Sequence, residues 1–453
     1  MPTKVLTFKL GVILFGPELL DLFLTAYDPS DLPGGSLDPM GFERGYLILA
    51  DKILPGLTNA AGHPRYLGMM CLGVSLTEDV DAATPQARRA ARQETLLRTE
   101  RYWVLANALD TGAATTGALR GVTYAKARAA SIEESESTST DGGYRLLTRQ
   151  DRAGVVGMYG SVAESLGFVT RDELRLTPGR GEEMAKAFDE ETKLPPDLRK
   201  AMQHDKAKVS VESLRQWGQR AHVEGRPRTG EARWLRDSLH ENETRSRMIR
   251  RLEVTPRRDG ETELDWLARV QRVITRGKDA DADLLEFITS ILAYEKAFRW
   301  ALVGFEQLLG LCRRHATGTP ALAELANDAV LRNVAAELPR AAQAFGETLT
   351  DRVLHGAAAM DDARKFLQAI AAEDKASAVV DAILARHSEV QQGKVVRSQR
   401  KLPWLEQRDG CLSLTMARSG SPHGEVSAPE HIAAHPYRLA AAERFISATQ
   451  ARR

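Results

Sequence analysis

Apolar residues recur three and four positions apart through most of this chain, a spacing that predicts amphipathic helices. The first clear case starts with Asp38 as a cap and Pro39 in the first turn. It runs to Leu54, with Phe42, Tyr46, Leu49, Ala50 and Ile53 on one face. Pro55-Gly56 breaks that pattern, because proline lacks the backbone donor and clashes with the preceding turn. The pattern restarts from Arg65 to Val74. A long helix is expected over Gln86–Leu109, with Leu96, Leu97, Trp103, Val104 and Leu105 for the core. Another is expected over Asp281–His315, with further Ala-rich helices to about His387.

Alternation with a period of two is confined to short stretches. "FVTRDELRL" predicts two short strands around Thr170-Arg171-Asp172-Glu173. Before them "RQDRAGVVGMYGSVAESLGFV" predicts a helix stopped by Gly167. After them "TPGRGEEMAKAFDEE" predicts a helix capped by Thr177 with Pro178 in its first position. Helix, hairpin, helix over residues 144–190 resembles a winged-helix unit. Asp409-Gly410 predicts a second hairpin, and "HPYRLAAAERFISATQ" a closing helix.

These elements predict a mainly α, multi-domain protein. The expected parts are an N-terminal helical domain (1–130), a polar linker "SIEESESTSTDGG" (131–143) and the winged-helix-like unit (144–190). An Arg-rich helical region (191–280), a helical bundle (281–393) and a basic segment with hairpin and final helix (394–453) complete the chain. Residues 28–39 read as a Pro- and Gly-rich loop. Ahead of it, the opening apolar run predicts a short strand and a helix. Gly16-Pro17-Glu18 and Asp21 cut that run short, with no small-residue cleavage site, which argues against a secretory signal.

Composition adds little except in one region. Aromatic residues make up 6% and Ala, Leu, Arg and Glu dominate, which favours helix. The net charge is +1, yet Ser213–Arg258 holds twelve arginines, no lysine and six acids. Arginine's planar fork matches phosphate oxygens two at a time. With Trp217 and Trp234 interleaved, this predicts a surface that grips a nucleic-acid backbone. The candidate contacts are Arg215, Arg220, Arg226, Arg228, Arg233, Arg236, Arg245, Arg247, Arg250 and Arg251. Arg397, Arg400 and Lys401 add a second patch ahead of Pro403-Trp404. The competing reading is a set of solvated helix faces paired with glutamates.

No active-site motif is complete. Gly154, Gly157 and Gly160 lack the Lys-Ser/Thr that a phosphate loop needs, and read instead as a close helix crossing. "HDK" at His204 lacks the aspartate that a phospholipase-D-type motif requires five residues on, where Val211 stands. Arg215 with His222, and Arg233 with His240, have a spacing that HEPN-type helical RNases use, but an arginine-rich segment produces it by chance. His240, Glu241 and Glu243 have no second ligand cluster, and the odd, scattered Cys71, Cys312 and Cys411 build neither a zinc site nor a disulfide framework. Neither metal nor cofactor is expected. A reducing cytoplasm is the expected location, with no membrane span.

The segment "LDPMGFERGYLILADKILPGLTNAAGHPRYLGMMCLGV" resembles the opening of a group of poorly characterised bacterial proteins from phage-defence gene clusters. The matching positions are Leu54, Pro55, Gly56, Leu57, Thr58, Arg65 and Tyr66, with "LRG" (Leu119–Gly121) and "PWLE" (Pro403–Glu406) later in the chain. The resemblance covers about a tenth of the sequence and implies a context, not catalytic residues. In that context such proteins sit beside helicases, ATPases or nucleases. Joined to the arginine-rich surface and the winged-helix-like unit, the resemblance leads to the expectation of a non-catalytic subunit of an antiviral defence system that contacts DNA or RNA and docks such a partner. A nuclease of unrecognised class and a pure protein-interaction scaffold are the alternatives. In the joint itself, His63 reads as a loop histidine. Arg65 is expected either to bond carbonyls at the end of the first helix or to face a phosphate.

Overall fold

The computed structural model describes residues 38–77, 84–110, 119–204, 207–277, 281–315, 318–325, 327–396, 399–415 and 426–450. The expected N-terminal strand and helix, most of the 28–39 loop, two residues of the "HDK" stretch and Arg397 lie outside them. The described chain is mainly helical, with only small two-stranded sheets.

The first helix, α1 (Glu43–Ile53), begins later than Pro39 implies. Gly41 takes a left-handed φ of +73° and delays the helix. Asp38 still acts as its cap, accepting from the N–H groups of Met40, Gly41 and Glu43 at 3.2, 2.7 and 2.7 Å. After the Pro55-Gly56 break, α2 (Arg65–Ser75) and α3 (Pro85–Leu109) follow, the latter capped by Thr84. Helix α4 spans Val122–Glu134. The polar stretch 131–143 therefore holds a helix end and also a strand, β1 (Ser139–Thr140), which pairs antiparallel with β4 (Val209–Ser210).

A short turn of helix, α5 (Gln150–Ala153), leads into α6 (Val155–Ser165). Gly167 ends the helical run with a φ of +72°. The hairpin β2 (Val169–Thr170) and β3 (Arg175–Leu176) sits where alternation placed it. Helix α7 (Arg180–Thr192) starts after Gly179, whose φ of +76° again delays the helix. The Thr177 hydroxyl still accepts from Gly181 N–H at 3.1 Å, while Glu182 receives the Gly179 N–H at 3.0 Å.

Helices α8 (Pro196–Gln203), α9 (Val211–Arg220), α10 (Thr229–Glu241), α11 (Glu243–Val254) and α12 (Glu263–Arg276) carry the arginine-rich region. The long α13 (Ala282–Arg314), capped by Asp281, then packs against α15 (Ala329–Glu347), beyond the short α14 (Leu322–Leu325). After the short α16 (Asp351–Leu354), α17 (Asp361–Ala371) and α18 (Ala376–Gln392) complete that layer. Beyond the two-residue pair β5 (395–396) and β6 (399–400), β7 (Leu405–Arg408) and β8 (Cys411–Leu414) form the expected hairpin. Asp409 and Gly410 both have positive φ, as a type I′ turn requires. Helix α19 (Leu439–Thr449) closes the described chain.

The joint divides its two helices between different neighbours. Helix α1 packs on α13, whereas α2 packs on α3 and α7. Gly45 makes the α1–α13 approach possible, because a Cβ there would sit 2.0 Å from the Tyr294 hydroxyl oxygen. That hydroxyl donates to Phe42 O at 2.7 Å. Among the described residues, no helix is long and apolar enough to cross a membrane.

One buried histidine gives the fold a pH dependence. His387 is completely buried, with Nδ1 2.9 Å from Pro39 O and Nε2 accepting the Trp404 N–H at 2.8 Å. Both contacts require a neutral ring protonated on Nδ1. Burial lowers its pKa from 6.5 to about 4. The unfolded chain therefore takes up this proton first. The stabilisation is complete above pH 6.5 and is lost as pH falls toward 4, by about 3 kcal/mol in all. Urea unfolding checks this: between pH 7 and pH 4.5 a His387→Asn variant should lose about 2–3 kcal/mol less than the parent chain. Equal losses would show that His387 does not titrate as its contacts require.

Candidate nucleic-acid interface

The structure sorts the arginine-rich segment into buried struts, internal ion pairs and exposed groups. Arg245 is the clearest correction. Expected on the phosphate-facing surface, it is 1% exposed. Its guanidinium donates to three carbonyls, Leu239 O at 2.9 Å, Ser238 O at 2.7 Å and Pro55 O at 2.8 Å. It lies on the apolar face of α11 with Met248, Ile249 and Leu252 and cannot reach a phosphate.

Other arginines are partly committed. Arg247 pairs with Asp281 at 3.0 Å, and Arg215 with Glu133 at 3.5 Å. Arg220 donates to Gln216 O at 3.0 Å, and Arg226 to Gln450 O. Arg251 is half-buried, as is Lys401. The side chains of Arg228 and Arg400 are exposed. Trp217 belongs to the core, not to a stacking surface.

A smaller basic surface remains on α10 and α11. Helix α10 buries Glu231, Leu235, Ser238 and Leu239, which turns Arg233, Arg236 and His240 outward. The Arg233 guanidinium lies over the Trp234 ring at 5.1 Å and pairs loosely with Asp237 at 3.6 Å. Arg236 and Arg250 are exposed, and no described residue forms an ion pair with either. His240 is bonded through Nδ1 to Ser246 Oγ at 2.9 Å. Burial lowers its pKa. Glu253 opposes that shift, while Arg250, Arg236 and Arg245 add to it. The arginines of both helices thus lie close enough to bias one imidazole.

Of the two Arg/His pairs, Arg215 and His222 are not on one helix, since α9 ends at Arg220. The His222 Nδ1 accepts the Glu224 N–H at 3.2 Å. Arg233 and His240 do share the outward face of α10. Gly154 and Gly157 are crowded against Gln150, Glu100 and Arg152, whereas a Cβ on Gly160 would meet nothing within 4 Å. The crowding comes from the preceding turn and Glu100, which accepts the Val155 N–H at 2.7 Å at the start of α6. No group of three metal-ligating side chains occurs among the described residues.

Arg65, left open by the sequence, does neither of the expected things. It is buried and bonds Glu191 at 2.6 Å, Glu231 at 2.5 Å and Arg220 O at 2.8 Å, beneath the Phe188 ring. Burial raises the Glu231 carboxyl to about 7, against the pull of Arg65, and Glu191 raises it further. The spacing of Glu231 with Leu235, Ser238 and Leu239 on one face of α10 was the available signal for this knot. The role expected of Arg65, bonding the last carbonyls of α1, falls to Arg245 on Pro55 O and to Arg438 on Leu54 O at 3.0 Å. Another buried acid, Glu295, binds His435 Nδ1 at 2.6 Å and the Tyr437 hydroxyl at 2.7 Å.

Compared with known proteins, the chain matches no family model, no curated protein and no solved structure.

Proposed function

We propose that this chain is a non-catalytic subunit that binds a nucleic-acid backbone through α10 and α11, in the antiviral-defence setting its N-terminal resemblance implies. The observation that carries the reading is the pair Arg236 and Arg250. Both are exposed, neither has an ion pair among the described residues, and both lie close enough to His240 to act on it. Arginines already neutralised by a carboxylate gain little from a phosphate, whereas these can release counterions on binding.

The hairpin unit contributes less than its pattern suggests. In a winged helix the helix that enters the groove should present basic or polar groups. The exposed side chains of α7 are Glu182, Glu183, Lys186 and Glu190, whose net negative charge repels a phosphate backbone. In this reading the unit packs α7 against α2 and α10 and leaves the contacts to α10 and α11.

Fluorescence anisotropy with a labelled duplex and a labelled single strand tests this. Binding near 50 mM salt should weaken at least tenfold by 200 mM, as expected when several phosphates are contacted. Absence of salt-dependent binding to either probe would overturn the reading. It would then leave the scaffold alternative, in which a pull-down recovers a protein partner after nuclease treatment. Cleavage of the probe, abolished by His240→Ala, would instead favour the nuclease alternative, which Arg233 and His240 on one outward face permit.

A further inference from the structure

The broken joint between α1 and α2 gathers a second cationic cluster that the surface on α10 and α11 does not include. His63 stands in the joint, Arg120 just before α4, and Arg444 on α19. The His63 and Arg444 side chains meet although 381 residues separate them. The Arg444 Nη1 donates to His63 Nε2 at 3.4 Å. Arg120 lies close enough to act, with Arg444, on both His63 and Tyr159.

The cluster is held in place from below. The Arg120 backbone N–H donates to the Tyr66 hydroxyl at 2.9 Å, and the His63 backbone N–H donates to the Tyr159 hydroxyl at 3.2 Å. Those two tyrosine rings are stacked at 4.3 Å. Gly62 leaves room for the arginine, since a Cβ there would lie 2.6 Å from Arg444 Nη1.

The cations are not neutralised locally. Neither Arg120 nor Arg444 forms an ion pair with a described residue, and the Arg120 guanidinium rests on the Met158 sulfur at 3.8 Å. Glu100, an acid close enough to sense Arg120, has its carboxylate already occupied by Gln150 and the start of α6. Arg444 is exposed, and His63 and Arg120 are half-buried, so the cluster opens to solvent. Because Nε2 of His63 accepts from Arg444, Nδ1 carries the ring proton. Tyr159 accepts from His63 N–H, so its own hydroxyl proton remains to be donated.

We propose that His63, Arg120, Arg444 and the Tyr159 hydroxyl form a binding site for a phosphate group. Two guanidinium forks supply paired donors to an oxyanion, and a phosphate dianion would balance both charges. The chemistry is shared by free phosphate, a nucleoside monophosphate and the 5′-phosphate of a nucleic-acid end. The site does not rest on the proposed α10–α11 surface and is tested separately from it.

Isothermal titration of the full chain with inorganic phosphate should show saturable binding of one phosphate per chain. Arg444→Gln, a change at an exposed position, should weaken it at least tenfold, and Arg120→Gln likewise. Arg236→Ala with Arg250→Ala should leave it unchanged. AMP and a 5′-phosphorylated oligonucleotide, each compared with its unphosphorylated form, identify the source. Tighter binding of either phosphorylated form than of inorganic phosphate assigns a nucleotide or a nucleic-acid end, and no gain assigns the free anion. Binding that does not saturate, or that both arginine variants leave unaltered, would overturn the site.

Discussion

Arg65→Ala destabilises the protein by about 3–5 kcal/mol, the range for removing one partner of a buried ion pair. The variant strands two glutamates, Glu191 and Glu231, that face each other across the missing guanidinium, and it leaves Arg220 O without its donor. Glu231→Gln is the contrasting change. Arg65 keeps Glu191, and a carboxyl raised to about 7 by burial is already partly protonated at pH 7, so the amide removes only part of a charge. That substitution should cost only about 1 kcal/mol. Urea unfolding at pH 7 checks both values. Equal costs would mean that the knot's stability does not depend on the balance of one cation against two acids.

Arg245→Ala has the second large effect, again about 3–5 kcal/mol, from the loss of several charge-assisted bonds to buried carbonyls. The lost contact to Pro55 O matters most for the architecture. The joint passes the chain from the α13 layer to the α2–α3–α7 layer. Gly56, with a φ of +77°, is pressed between Ser165 and Arg245, so no side chain at that position can help to hold the turn. Arg438 clamps the same joint through Asp51 at 2.6 Å and Leu54 O. Asn59 receives the Arg438 N–H at 2.9 Å and donates to Pro436 O at 2.8 Å. In the Arg245 variant, thermal unfolding should shift before any loss of nucleic-acid affinity per folded molecule. A stable variant with weakened binding would return Arg245 to the surface.

Helices were legible in the sequence because their apolar spacing is a local property. Their starts were displaced at two places for one reason. Asp38-Pro39 and Thr177-Pro178 look like helix starts, but Gly41 and Gly179 take positive φ values that hold the chain out of the helix for a few more residues. The Asp409-Gly410 hairpin was legible because two positive φ values in a row demand such residues. Burial of Arg245 was also legible, from its spacing with Met248, Ile249 and Leu252, but counting arginines concealed it.

Long-range partners were not legible. Glu191 and Glu231 lie 126 and 166 residues from Arg65, and nothing near that arginine specifies them. The same holds for His63. It has no chemical partner nearby in sequence, and its neighbours come from Arg120 and from the last helix. The residues that organise the joint, Arg438 and Arg444 among them, come from the far end of the chain.

One arginine-rich segment thus supplies both an internal strut, Arg245, and an outward surface on α10 and α11. The most direct test of that division compares the salt dependence of nucleic-acid affinity for the parent chain and for Arg236→Ala with Arg250→Ala. The account predicts an unchanged melting temperature, with affinity reduced equally for all sequences and a salt slope smaller by about 1–2. An unchanged affinity and slope in the folded double variant would contradict it.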